Sequence, residues 1–138
     1  MKTIYKIEED YDFNLDVLAI NSHEKAYKLC WIINKNMNLN FIKTKDHVYQ
    51  GNSNLRFQNF TYYNTQSETK YNILSNHSTD GYLYPNKKSI NYFFLIEGGV
   101  YNKNKIIQNL TQINEILLVF ELNLSNSKQI TPFIVDDQ

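Results

Sequence analysis

This chain has one cysteine, so no disulfide can form within it. Cys30 sits inside an apolar helical pattern, which fits a reducing compartment and a thiol used as a small buried hydrophobe. Long apolar runs are also missing, and nothing approaches the roughly 18 residues of a membrane-spanning helix. The opening MKTIYKIEED has no apolar h-region and soon turns acidic, so a soluble, cytoplasmic protein is expected. Net charge is absent as well, with 14 basic residues against 14 acidic ones. Phosphate backbones are held by an excess of positive charge, so a dedicated nucleic-acid protein is disfavoured.

The motifs of common chemistries are missing too. His23, His47 and His77 lie in three separate segments, with no H-x3-H or C-x2-C spacing that would seat a metal. Cys30 has Trp31 beside it and no nearby base or electropositive group to make it a nucleophile. There is no G-x-G-x-x-G and no G-K-[ST]. No catalytic residue, metal or cofactor is expected, and an enzyme ranks last among the readings.

What the chain does have is asparagine, 20 of them, with 13 lysines against the single Arg56, and 11 tyrosines. These residue types share AT-rich codons, so genome composition explains the bias and no single asparagine can be read as chemistry.

Residues 3–8 alternate as a short strand, DYDF is an acidic turn, and residues 13–21 read as a strand with Phe13, Leu15, Val17 and Ala19 on one face. Asn21 or Ser22 is the expected N-cap of the next helix. In HEKAYKLCWIINKNM, Ala26, Leu29, Cys30, Ile33 and Met37 fall at helical spacing, with Tyr27, Trp31 and Asn34 on a flanking stripe. Strands are expected in LNFIKTK, DHVYQ, LRFQNFTYY and KYNILSN, the third with a bulge near Asn59 and Phe60, and turns over 51–54 and 64–69. HSTDG reads as loop. INYFFLI is apolar on both faces, as a central strand covered on both sides would be. After Gly98 and Gly99, Ile106, Ile107, Leu110 and Ile113 form a helical stripe, and EILLVFEL closes as a strand.

Two strand-helix-strand units around antiparallel strands predict a single α+β domain over residues 1–124. The expected form is a two-layer sandwich, an antiparallel or mixed sheet with two helices on one face, in ferredoxin-like topology. Residues 125–138 read as an irregular tail, where Pro132 discourages helix.

The stretch GYLYPNKKSINYFFLIEGG (residues 81–99) holds one of the two prolines, a lysine pair and a strand closed by two glycines. Its core, YPNKKSINY over residues 84–92, resembles the motif of the bacterial IPExxxVDY family, small proteins named for a motif because their function is not known. Pro85 and Tyr92 match the named positions, Ile90 replaces the valine and Tyr84 the isoleucine. Asn86 and Asn91 stand where the two acids belong. Asp12, Phe13, Leu15, Tyr27, Leu29, Trp31 and Asn34 are similar to the family's opening strand and helix. The resemblance covers roughly residues 4–122. If the family's acids performed acid-base chemistry, Asn86 and Asn91 could not, so either those acids are not catalytic or this copy has lost the activity, and structural roles are the favoured reading.

Three functional expectations follow. The first is a non-enzymatic protein working through protein contacts, with an unidentified partner or a homodimer. Its surface would be the Tyr- and Phe-rich sheet face opposite the helices, and Tyr84, Pro85, Asn86, Ile90, Asn91 and Tyr92 would form a recognition loop. The second is a small-ligand regulatory domain resembling ACT modules in its pattern, with Gly98 and Gly99 at the ligand turn. RNA stacking on Phe57, Phe60, Tyr62, Tyr63, Tyr92, Phe93 and Phe94 is third, since the signatures of such domains are absent.

Overall fold

The structure is a computed structural model describing residues 14–49 and 55–135. The strand expected over 3–8, the acidic turn, Phe13 and the turn over 51–54 lie outside the described residues. In chain order the elements begin with β1 (Leu15–Ser22), α1 (Ala26–Met37), β2 (Ile42–Tyr49), β3 (Leu55–Asn64) and β4 (Thr69–Ser75). Then come β5 (His77–Ser78), β6 (Gly81–Tyr82), a 3-10 turn (Pro85–Lys87) and β7 (Tyr92–Glu97). The chain continues through α2 (Lys103–Thr111), β8 (Ile116–Glu121), α3 (Ser127–Ile130) and a second 3-10 turn (Thr131–Phe133).

Six strands form one sheet in the order β2-β3-β4-β7-β1-β8, and every neighbouring pair is antiparallel. β5 and β6 make a separate two-stranded hairpin. The fold is α+β, as the sequence pattern predicted. β7 is central, as its two-sided apolar pattern required. Phe94 and Ile96 belong to the helix-side core, while Phe93 and Leu95 belong to the core on the other face.

α1 and α2 share one core with one face of this sheet. Leu29, Cys30 and Ile33 of α1 and Leu110 of α2 pack with Leu18, Ile20, Ile73, Phe94 and Ile96. Phe41 meets Tyr62, Tyr71 and Phe94 there, with ring centroids 5.7–6.4 Å apart. The expected N-cap is corrected: Asn21 and Ser22 stay in β1, and Lys25 stands at the N-cap without a side-chain hydrogen bond. The pull comes from the sheet. Ser22 Oγ donates to the Glu115 carbonyl at 2.8 Å, holding the strand end against the start of β8. At the other end Asn38 takes the left-handed conformation, φ 54°, which asparagine tolerates and which stops the helix.

The face opposite the helices corrects the surface expected to carry protein contacts. It is not open for a partner, because the chain covers it with two of its own segments. Leu83 and Ile90, from the stretch between β4 and β7, and Phe133, from the C-terminal segment, pack on Val17, Ala19, Phe57, Leu74, Phe93 and Leu95. Residues 127–133, expected to be irregular, form α3 and a 3-10 turn. Pro132 fits there because the first residues of a helical turn need no amide hydrogen bond. His47 is buried on this face, with Nε2 2.7 Å from the Pro132 carbonyl oxygen. The bulge expected in β3 lies in its partner: the register shifts between Thr44 and His47 of β2. A polar ladder crosses the sheet beside it. Asn72 Nδ2 donates to Asn59 Oδ1 and Thr61 Oγ1, both at 3.0 Å.

Candidate functional site

The stretch between β4 and β7 carries the motif residues, and a single buried asparagine organises it. Asn76 follows β4 and is 0% exposed. Its Nδ2 donates to the Ile90 carbonyl at 2.9 Å and the Lys87 carbonyl at 3.3 Å, while its Oδ1 accepts the Tyr84 amide at 2.8 Å. Its backbone amide donates to the Asn91 carbonyl and its carbonyl accepts the Leu83 amide, both at 2.9 Å. Buried polar groups are tolerated only when paired, and here one side chain replaces the strand partners that a loop lacks.

The motif residues divide by role. Tyr84 stands edge-on to Phe93 and tilted against Phe133, with centroids 6.2 and 6.0 Å away. Ile90 is buried in the sheet core. Asn91 donates its amide to the Ile20 carbonyl at 3.1 Å and accepts the Ser22 amide on Oδ1 at 2.9 Å. The Tyr92 hydroxyl donates to the Glu24 carbonyl at 2.6 Å, and burial first, then Glu24, pushes the phenol pKa up. Asn91 and Tyr92 therefore fasten the start of β7 to the β1–α1 connection. Pro85 opens a 3-10 turn, and only the tip from Pro85 to Ser89 faces solvent. Asn86 lies on that tip.

Gly98 and Gly99 lie at the other end of β7, about 20 Å from Tyr92 at roughly 3.3 Å per strand residue. Both have positive φ, 73° and 69°. The Gly98 amide donates to the Asn14 carbonyl at 2.8 Å and the Val100 amide to the Ser67 carbonyl at 3.2 Å. A Cβ on Gly99 would stand 2.2 Å from Ser67 O and 2.3 Å from Thr69 Oγ1. The glycines thus let the end of β7 press against the β3–β4 turn. The fold does not bring the two sequence-predicted sites together.

The aromatic platform is mostly inside: Phe57, Phe60, Tyr92, Phe93 and Phe94 are buried, and Tyr63 is the exposed member of the set. Cys30 is core, its thiol pKa raised to about 11 by burial. Among the described residues, no group of three or more His, Cys, Asp and Glu could hold a metal, and no helix is long and apolar enough to cross a membrane.

Two polar clusters were not anticipated. A groove of about 640 Å³ runs beside the β5–β6 hairpin, lined by Asp46, Arg56, Gln58, His77 and Asp80 among others. His77 meets Tyr82 edge-on at 4.8 Å, and Lys88 Nζ of the motif tip stands 5.5 Å from the centroid of the Tyr82 ring. The signal for this groove was the single arginine, a planar fork suited to carboxylates that lysine does not replace. The second cluster ties α2 to the sheet. The Tyr101 hydroxyl donates to Asp16, and Lys103 stands 2.8 Å from Glu121 and 3.6 Å from Asp16. Burial and the Asp16 hydrogen bond push the Tyr101 pKa up, and the Glu121 hydrogen bond raises Lys103.

On the outer face of α1, Tyr27 and Trp31 are 67% and 58% exposed, one helical turn apart, with Lys35 Nζ 5.1 Å over the indole. The flanking stripe seen in the sequence is therefore split. Asn34 turns inward, exchanging hydrogen bonds with the Phe41 amide and carbonyl at 2.7 and 3.0 Å, while the two aromatics face out.

Compared with models of known families and with curated proteins, the chain matches none.

Proposed function

We propose that this chain is a non-enzymatic protein that works through protein contacts, with α1 as the contacting surface. The exposed pair Tyr27 and Trp31 carries the reading. Tyrosine and tryptophan dominate the energetics of protein interfaces because they bury large areas with few rotatable bonds. Lys25, Lys28 and Lys35 surround the pair and would form its polar rim. The motif tip around Asn86 is a smaller candidate contact, held rigid by Asn76.

The test is quantitative affinity capture with full-length protein, comparing wild type with Tyr27→Ala/Trp31→Ala and with Asn86→Ala. Loss of a wild-type partner in the double variant is the expected result. An identical set of captured proteins for all three chains would refute the reading.

We place the chain beside the IPExxxVDY family on the motif resemblance, supported by the buried hydrogen bonding of Asn91 and Tyr92. A ferredoxin-like frame is supported by β7-α2-β8 straddling β1 and by β4 and β1 flanking β7, with the β2–β3 hairpin as an addition.

A second reading, a small-ligand regulatory domain, draws support from the groove at Arg56 rather than from the glycine turn. Arg56 could receive a carboxylate, and Asp46 and Asp80 an amine. A ligand that binds only the folded protein raises its melting midpoint. A screen of amino acids and small carboxylates in which no compound shifts the wild type more than Arg56→Ala would end this reading.

A further inference from the structure

We infer that a second copy of this chain pairs antiparallel along the outer edge of β8, joining two six-stranded sheets into one. Among the described residues, β2 and β8 are the two edges of the sheet, and they differ in how they treat their outward backbone groups. β2 carries Lys43, Lys45 and Asp46 on and beside its bulge, and charge and bulges are how proteins keep an edge from pairing. β8 reads ILLVFE, five consecutive apolar residues, with Leu117 59% and Leu118 51% exposed. β8 also has a register shift, opposite Asn21 and Ser22, but the extra residue it accommodates is apolar.

The direction of the backbone groups defines the pairing. The Leu122 amide donates to the Val17 carbonyl at 2.9 Å. Antiparallel ladders alternate, so Phe120 and Leu118 turn their backbone groups toward β1, and Val119 and Glu121 turn theirs outward. A two-fold axis at Val119 then lets the outward groups of both copies meet. It sets Leu118 opposite Phe120 of the second copy, an apolar cross-strand pair. It sets Leu117 opposite Glu121, whose charge Lys103 already balances at 2.8 Å. An axis one residue away, at Leu118, would oppose Glu115 and Glu121, two like charges, and would aim the wrong backbone groups at each other. The register about Val119 thus matches outward backbone groups and keeps the acids apart. This surface is separate from Tyr27 and Trp31, so the proposal and the reading of α1 fail independently.

The test is sedimentation equilibrium of the full chain over a wide concentration range, with Leu118→Lys and Val119→Pro alongside. Wild type should show a reversible approach to twice the monomer mass. Leu118→Lys would replace the apolar cross-strand pair with Phe120 by a hydrated charge and should weaken association by at least about tenfold. Val119→Pro removes an amide hydrogen that points away from β1, a change an edge strand tolerates, and should also give monomer. Both variants are checked for an unchanged circular dichroism spectrum. If proline perturbs the strand, the exposed Leu118→Lys position decides the question alone. A wild type that stays monomeric at every concentration, or a dimer indifferent to Leu118→Lys, overturns the proposal.

Discussion

Asn76 Nδ2 donates to the Ile90 carbonyl at 2.9 Å from a side chain with no solvent exposure, so the motif loop is held from below as well as by its own turn. Removing that side chain strands the Tyr84 amide and the Ile90 carbonyl. Asn76→Ala should cost about 2–4 kcal/mol, the sum of a few lost buried hydrogen bonds. Asn76→Asp should cost a comparable amount, because a carboxylate cannot donate to two carbonyls. Urea unfolding measures both. Asn86→Ala, at the solvent-facing tip, should stay within about 0.5 kcal/mol of wild type. A large loss at Asn86 with none at Asn76 would reverse this account of the loop.

The two glycines after β7 should respond differently to the same substitution. Gly98→Ala meets the cost of a left-handed conformation, about 1–2 kcal/mol, with its new methyl 3.6 Å from the Glu68 carbonyl oxygen. Gly99→Ala meets that cost and also a collision with Ser67 O and Thr69 Oγ1. The second variant should therefore be the less stable of the two, by thermal melting, with the β3–β4 turn displaced. Equal melting points would show that the turn moves away without cost.

The elements with a local period were legible in the sequence. α1, β7 and β8 each carry their pattern within a few residues, and β7 even announced that both its faces are covered. What covers them was not legible, because it depends on contacts between distant positions. His47 meets Pro132 across 85 residues, and nothing in HSTDG or in the tail shows that either folds back. The same two-sided pattern of β7 argued against an open sheet face, and the tail supplies the missing cover. Asn76 was hidden for a different reason. In a chain with 20 asparagines, composition masks the one whose side chain organises the motif loop.

Stability should fall on the alkaline side. Burial raises the Cys30 thiol from 9.0 to about 11. It also leads the upward shifts of Tyr71, Tyr92 and Tyr101, and the Glu121 hydrogen bond leads that of Lys103. A group whose pKa is raised by folding contributes stability that is complete below its unfolded pKa and is lost as pH climbs toward the folded value. The unfolding midpoint should therefore hold steady up to about pH 8.5 and decline from there through pH 11. Cys30→Ala should flatten the first part of that decline, between 9.0 and about 11. The thiol should react with a disulfide reagent at pH 8 only on the timescale of opening. Fast labelling of the native protein would contradict its place in the core.

The C-terminal segment should behave as part of the domain rather than as an appendage. Phe133 is buried against Phe93 at a centroid distance of 4.8 Å and against Tyr84 at 6.0 Å, so it seals the sheet face and the inner side of the motif loop together. Phe133→Ala should cost about 3–5 kcal/mol, the usual loss for a buried phenylalanine. His47→Ala, which removes the partner of the Pro132 carbonyl, should cost less, about 1–3 kcal/mol. Hydrogen exchange distinguishes this arrangement from a loosely attached tail. In Phe133→Ala the amides of Tyr84 and Leu83 should exchange faster along with those of residues 127–133, because both segments lean on the same ring. Faster exchange confined to 127–133, with Tyr84 still protected by Asn76, would mean that the loop holds its shape without the tail.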